Sequence, residues 1–147
     1  MTLIAAQTRR LIVGLGLTGL SCARHLLQLG LPFELADSRM EPPGLNELNA
    51  LTDAPVHLGP LTAELLCRYD ELLVAPGITL RDPAFETAKA RGVRITGDLD
   101  YFCDASAAPI IAITGSNGKS TVTSLVGQMM RDAGHRAAVG GNIGVPM

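Results

Sequence analysis

Leu11-Ile12-Val13-Gly14-Leu15-Gly16-Leu17-Thr18-Gly19 is the stretch whose reading decides the fold. Three apolar residues run into Gly-x-Gly-x-x-Gly, and a helix-like segment from Thr18 to Leu29 follows, stopped by Gly30 and Pro32. A strand that turns through glycines straight into a helix aims backbone N–H groups and the positive end of the helix dipole at one point. A phosphate fits there. Asp37 closes the next apolar run, Phe33-Glu34-Leu35-Ala36, where a carboxylate can accept hydrogen bonds from a nucleoside. Nicotinamide dinucleotides and uridine-diphosphate sugars both present a pyrophosphate to such a helix, so these residues leave both open.

Outward from this stretch, strand-like and helix-like segments alternate. Strand-like runs are Leu11 to Val13, Phe33 to Ala36, Glu71 to Val74, Val93 to Ile95, Ile110 to Ile113 and Ala137 to Val139. Helix-like segments are Thr18 to Leu29, Pro83 to Arg91 and Lys119 to Ala133. Such alternation predicts an α/β protein with a mainly parallel sheet. In the last helix Val122, Leu125, Val126, Met129 and Ala133 recur at three- and four-residue steps, which gives a packing stripe that includes Met129, with Met130 beside it.

A second anion cradle is written as Thr114-Gly115-Ser116-Asn117-Gly118-Lys119-Ser120-Thr121, after the apolar run Pro109 to Ile113. Lys119 is placed to reach the outer phosphates of a nucleoside triphosphate, and the hydroxyl of Ser120 or Thr121 to ligate the accompanying Mg²⁺. The usual Gly-x-x-x-x-Gly-Lys loop would put its first glycine at position 113, where this chain has Ile113, so the loop is a shortened one. Between the two cradles, Gly97 to Ala108 joins a segment that has spent its strands to a fresh strand, loop and helix. The expected division is therefore 1–97, a Rossmann-like domain, and 98–147, a linker with the start of a P-loop-type ATP-binding domain. One βαβ unit cannot bury both faces of its sheet, so the second domain reads as cut short at Met147.

Composition bounds the partners. Hydrophobic residues are 47% and charged residues 18% of 147, with 12 Lys plus Arg against 14 Asp plus Glu, a formal charge of −2. No basic footprint exists, and with no Trp, 2 Tyr and 3 Phe there is little to stack on bases, which argues against nucleic acid. The 3 cysteines, Cys22, Cys67 and Cys103, form no Cys-x-x-Cys pair and read as reduced core thiols. No run reaches membrane-span length and no signal-peptide order is seen at Met1 to Arg10, so cytoplasm is expected. His25, His57 and His135 have no ligand-spaced companions, and Asp98, Asp100 and Asp104 read as helix capping near a junction. Glu41-Pro42-Pro43-Gly44 reads as a turn.

The two cradles together resemble the Mur ligases of peptidoglycan synthesis, and within them the branch that adds D-glutamate. The resemblance rests on Gly14 to Cys22, Asp37 to Gly44, Pro76-Gly77-Ile78, Ala112 to Thr121 and Gly140-Gly141-Asn142-Ile143-Gly144. The shortened phosphate loop is that family's own pattern. It implies that Gly14, Gly16, Leu17, Thr18, Gly19, Asp37, Ser38, Arg39, Gly77 and Asn142 meet the uridine-diphosphate substrate, UDP-N-acetylmuramoyl-L-alanine. It implies that Gly115 through Thr121 hold ATP, that Ser120 and Thr121 meet Mg²⁺, and that Lys119 and Asn142 serve catalysis. ATP would phosphorylate the muramoyl-alanine carboxylate and the amine of D-glutamate would displace the phosphate, in an enzyme that is monomeric at full length. Relatives commonly carry Ser-Pro-Gly where this chain has Ala75-Pro76-Gly77, which removes a hydroxyl contact. Further metal positions and a third domain follow in the family, so this chain alone is expected to be inactive as a ligase. A NAD-binding oxidoreductase module and a non-catalytic nucleotide-binding module are the alternatives.

Overall fold

The computed structural model describes residues 8–141, and the chain divides into two compact units between Tyr101 and Phe102. The first unit is a five-stranded, all-parallel sheet: β1 (Arg10–Val13), β2 (Glu34–Asp37), β3 (Val56–Leu58), β4 (Glu71–Val74) and β5 (Arg94–Thr96), in the order β3-β2-β1-β4-β5. Connecting helices are α1 (Leu17–Gln28), α2 (Leu45–Leu51), α3 (Ala63–Leu66) and α4 (Pro83–Ala90), with α5 (Asp98–Ala105) crossing the division.

The central strands are apolar throughout because both faces of the sheet are covered. Leu11, Val13, Ala36, Leu72 and Val74 point to one side and pack with Leu66, Phe85 and Ala88 from α3 and α4. Ile12, Leu35 and Leu73 point to the other and pack with Leu20, Ala23, Leu26 and Leu48 from α1 and α2. Successive residues of one strand thus serve two cores, the period of two that a pleat imposes. Cys22 belongs to the second core, and burial pushes its thiol up to about 11. Cys67 is only half-buried and Cys103 is exposed, so the expectation of three core thiols holds for Cys22 alone.

Helix ends follow local chemistry. Asp82 caps α4 through its side chain, accepting the Ala84 N–H at 2.9 Å, with Pro83 in the first turn. Thr62 caps α3 by accepting the Leu65 N–H at 3.2 Å. The region 45–66, which sequence reading left without elements, holds α2, β3 and α3. Their signals are short: Leu45, Leu48 and Leu51 at three-residue steps, and a strand of three residues with His57 in its middle. His57 and Tyr69 both bond the Glu34 carboxylate, at 2.7 and 2.6 Å, which ties β3 to β2 and gives this histidine a structural role.

A buried ion pair lies within the sheet. Arg10 Nε donates to Glu71 Oε2 at 3.2 Å, and Tyr101 on α5 donates its hydroxyl to the same oxygen at 2.8 Å. Thr96 Oγ1 donates to the other oxygen at 3.3 Å, so the charge is compensated several times over. Burial and the bond to Glu71 push the Tyr101 phenol up to about 12. Tyr101→Phe leaves the ion pair intact but removes the hydroxyl's bond to Glu71 and the longer one it accepts from Arg10 Nε at 3.3 Å, so a loss of about 1–2 kcal/mol in urea unfolding is expected.

In the second unit the regular element after α5 is α6 (Lys119–Asp132). The expected strands Ile110 to Ile113 and Ala137 to Val139 are not formed. Strand residues need a hydrogen-bonded neighbour, and Ile110, Ile111 and Val139 are exposed. The predicted packing stripe is likewise uncovered: Val122, Leu125 and Met129 are exposed, and Met129 does not act as core. The side of α6 that is covered is the one at Gly127, where a Cβ would run into Val139, and Arg131 donates to the Ala137 carbonyl at 3.2 Å.

Candidate nucleotide-binding site

Parallel order brings the carboxyl ends of β1, β2 and β4 to one edge. The chain leaves β1 toward β2 and β3 on one side, then returns to β4 on the other, so a crevice opens between the ends of β1 and β4, where α/β sheets bind ligands. Gly14 follows β1 at φ +99° and is buried, for a Cβ there would stand 2.8 Å from the Ala75 Cβ and 3.2 Å from Ile78. Gly16 is extended, at φ −106° and ψ −157°, and the space where its Cβ would point is open. Gly19 meets the Gly14 carbonyl, which lets α1 lie directly on β1. The three glycines therefore do separate things: a turn, an open approach, and helix-to-strand contact.

No side chain caps α1 and no acidic residue occupies its first turn. Leu17 is 70% exposed and Thr18 is half-buried, so the positive end of the helix stands at the carboxyl edge of the sheet with no side-chain cap among the described residues. Ser38 and Arg39 are exposed at the end of β2, and Gly77 is exposed beyond β4, in the turn closed by the Ile78 N–H on the Ala75 carbonyl at 3.0 Å. Gly14, Gly16, Leu17, Thr18, Gly19, Ser38, Arg39 and Gly77 thus gather at one edge of one unit.

Asp37 is held by the protein itself. It has no exposed surface, and its two oxygens are taken by the Leu15 N–H at 2.7 Å, the Arg39 N–H at 2.9 Å, and Arg39 Nε and Nη2 at 2.9 and 2.7 Å. Burial works to raise this carboxyl, but the Arg39 guanidinium and the two backbone N–H groups outweigh it and hold it down at about 2. The group that reaches solvent here is Arg39, half exposed and held by the fork. Asp37 shapes the glycine loop and aims Arg39.

The second cradle is built in its own unit. Gly115 has φ +153° and Gly118 has φ +74°, the left-handed region, and Gly118 stands at the N-terminus of α6 with no side-chain cap and no acid in the first turn. Ser116, Asn117, Ser120 and Thr121 are exposed around it. Lys119 curls back, its Nζ 2.5 Å from the Gly115 carbonyl oxygen and 3.4 Å from that of Ser116, so the ammonium sits over the loop itself. Among the described residues no group of three or more His, Cys, Asp or Glu could hold a metal. A divalent ion beside Ser120 or Thr121 would rest on a hydroxyl and on phosphate oxygens, a pattern that suits Mg²⁺. Asn142 lies outside the described residues.

Among the described residues no helix is long and apolar enough to cross a membrane. Two solved structures share the fold. UDP-N-acetylmuramate-alanine ligase MurC from Thermotoga maritima superposes with a TM-score of 0.56 at 23% identity, covering 86% of this chain and 30% of that one. A pseudomurein peptide ligase type C from Methanothermus fervidus gives 0.56 at 21% identity, covering 87% and 27%. In sequence, the chain is 56% identical over 147 residues to a UDP-N-acetylmuramoylalanine--D-glutamate ligase of Marinobacter nauticus, a match covering 99% of this chain and 33% of that protein. The Pseudomonas aeruginosa ligase of the same name is 52% identical, with the same coverage. The chain spans about a third of the length of these curated relatives. Residues 8–97 match the family described as Mur ligase MurD-like, N-terminal domain, and with the glycine loop after β1 and the Asp37–Arg39 fork after β2 at one edge of the sheet, the chain belongs to that family.

Proposed function

We propose that the first unit binds the uridine diphosphate of UDP-N-acetylmuramoyl-L-alanine, and that the Gly115 to Thr121 loop binds ATP, in a protein that joins D-glutamate to that substrate. The observation that carries the reading is the uncapped N-terminus of α1 at the same carboxyl-end edge of the sheet as the Asp37-held guanidinium of Arg39. Those are one dipole and one cation for a diphosphate. The relatives, UDP-N-acetylmuramoylalanine--D-glutamate ligases by name, supply the substrate and the amino acid.

In this reading the Leu17, Thr18 and Gly19 N–H groups take the diphosphate, and Ser38, Arg39 and Gly77 border the nucleoside. Lys119 exchanges its two loop carbonyls for outer phosphate oxygens of ATP, which removes a self-contact in favour of a charge pair. Mg²⁺ on the Ser120 or Thr121 hydroxyl would neutralise charge on the triphosphate. The chemistry follows by positioning: the carboxylate of the muramoyl-alanine attacks the terminal phosphorus of ATP and ADP leaves, and the amine of D-glutamate then displaces phosphate from the acyl phosphate to form the amide. Residues 98–147 then serve as linker and start of the ATP-binding domain, Asn142 serves catalysis, and the cytoplasm is the compartment.

The test is a titration of the chain with UDP-N-acetylmuramoyl-L-alanine and, separately, with NADH. Saturable binding of the UDP-sugar at one site per chain, with NADH at least tenfold weaker, is the expected result. Tighter NADH binding would replace this reading with the oxidoreductase module.

A further inference from the structure

Gly44, in the turn Glu41-Pro42-Pro43-Gly44, is buried and meets the glycine loop directly. Its N–H donates to the Leu15 carbonyl at 2.9 Å, while the Leu15 N–H donates to Asp37 at 2.7 Å. The Leu15 peptide, which leads into Gly16, Leu17 and Thr18, is thus gripped on both sides. We infer that Gly44 is a positioning residue for the diphosphate loop, clamping the Leu15 peptide so that the amides after it converge. This rests on the reading of the first unit as a uridine-diphosphate site.

Three observations carry the inference. The backbone of Gly44, at φ −90° and ψ 0°, is one that any residue adopts, so conformation does not require glycine there. Space does: a Cβ would stand 2.8 Å from the Leu15 carbonyl oxygen, 3.3 Å from its carbon and 3.5 Å from the Gly16 carbonyl oxygen. Those are backbone atoms of the loop, with no flexible end to swing away. Finally, the two prolines before it have fixed φ, and the Leu45 N–H closes on the Pro42 carbonyl at 3.1 Å, so the turn delivers Gly44 on a stiff support.

Gly44→Ala therefore shifts the loop amides while leaving every group that faces the ligand chemically unaltered. In calorimetric titration of the full chain with uridine 5′-diphosphate, the expected result is a Kd raised about tenfold with one site per chain retained. A merely structural role would lower the number of sites through an unfolded fraction and leave Kd unchanged, which would overturn the inference. Should the variant fail to fold, the unsubstituted chain decides it. Saturation with uridine 5′-diphosphate should slow amide exchange at Gly44 at least fivefold, although that N–H faces Leu15, and unaltered exchange would overturn the clamp. Absence of binding by the unsubstituted chain would instead remove the uridine-diphosphate reading, and the inference with it.

Discussion

Asp37→Ala is expected to destabilise the first unit by about 3 kcal/mol and to weaken uridine-diphosphate binding about a hundredfold. The Leu15 N–H, buried with its residue, loses its acceptor, which costs about 1–3 kcal/mol by itself. The two bonds from the Arg39 side chain add less, because that guanidinium is half exposed and screened. Binding suffers on two counts, since Arg39 loses the fork that aims it and the Leu15 peptide loses one of its two grips. Asp37→Asn retains an acceptor for Leu15 and should fall between the variant and the parent.

The same carboxylate gives a pH signature. Its folded value, about 2, lies below an ordinary carboxyl near 3.9, so its stabilisation is fully present above about pH 4 and disappears as pH falls through about 2. The amount is on the order of 2 kcal/mol. Urea midpoints of parent and Asp37→Ala should accordingly stand apart at pH 6 and converge toward pH 2. Glu34 and Asp70 are also held low, by His57 and Tyr69 and by Arg9, but they are common to both chains and cancel in the difference. A gap that stays constant with pH would mean that the Asp37 charge is not what Arg39 and Leu15 stabilise.

Gly19→Ala is expected to cost about 3 kcal/mol, although alanine is the better helix former by about 1 kcal/mol. The added Cβ would collide with the Gly14 carbonyl oxygen and stand 3.2 Å from its carbon, with Ile12 Cγ2 at 3.7 Å behind. Relief requires α1 to lift off β1, which opens contacts of Leu20, Ala23 and Leu26 with the sheet. Gly16→Ala is the counterpart. Nothing stands within 4 Å of that Cβ and φ is −106°, so stability should change by no more than about 0.5 kcal/mol. Its methyl would occupy the approach to the diphosphate, and affinity should drop by at least tenfold. Thermal unfolding and titration of the two variants separate contact from approach; equal stabilities would remove the assigned difference between these glycines.

Much of this was legible in local pattern. Leu11 to Gly19 announced strand, turn and helix, because the apolar run, the glycine spacing and the helix stop at Gly30 and Pro32 act within a few residues of one another. Glu71 to Val74 and Pro83 to Ala90 were equally plain, the latter through its Asp82 cap. Residues 45–66 were not, since three-residue β3 and four-residue α3 depend on neighbours for their existence. Ile110 to Ile113 erred the other way: an apolar run reads as a strand, but pairing makes one. Asp37 was found by its place, but its bonds to Leu15 and Arg39 were not, because position after a strand does not say which protein groups a carboxylate also holds. Gly44 was marked only as part of a turn and of a stretch that carries the resemblance, and its contact with Leu15, far off in the chain, left no local signal.

By itself, then, the sequence determined the class of fold, the two glycine cradles and the family, because spacing, turn chemistry and apolar period are properties of neighbouring residues. Only the tertiary structure decided the strand order, the crevice between the ends of β1 and β4, the burial of Asp37 under Arg39, and the grip of Gly44 on Leu15. Each of those joins residues far apart along the chain, and which distant atoms meet is settled by how the helices cover the two faces of the sheet.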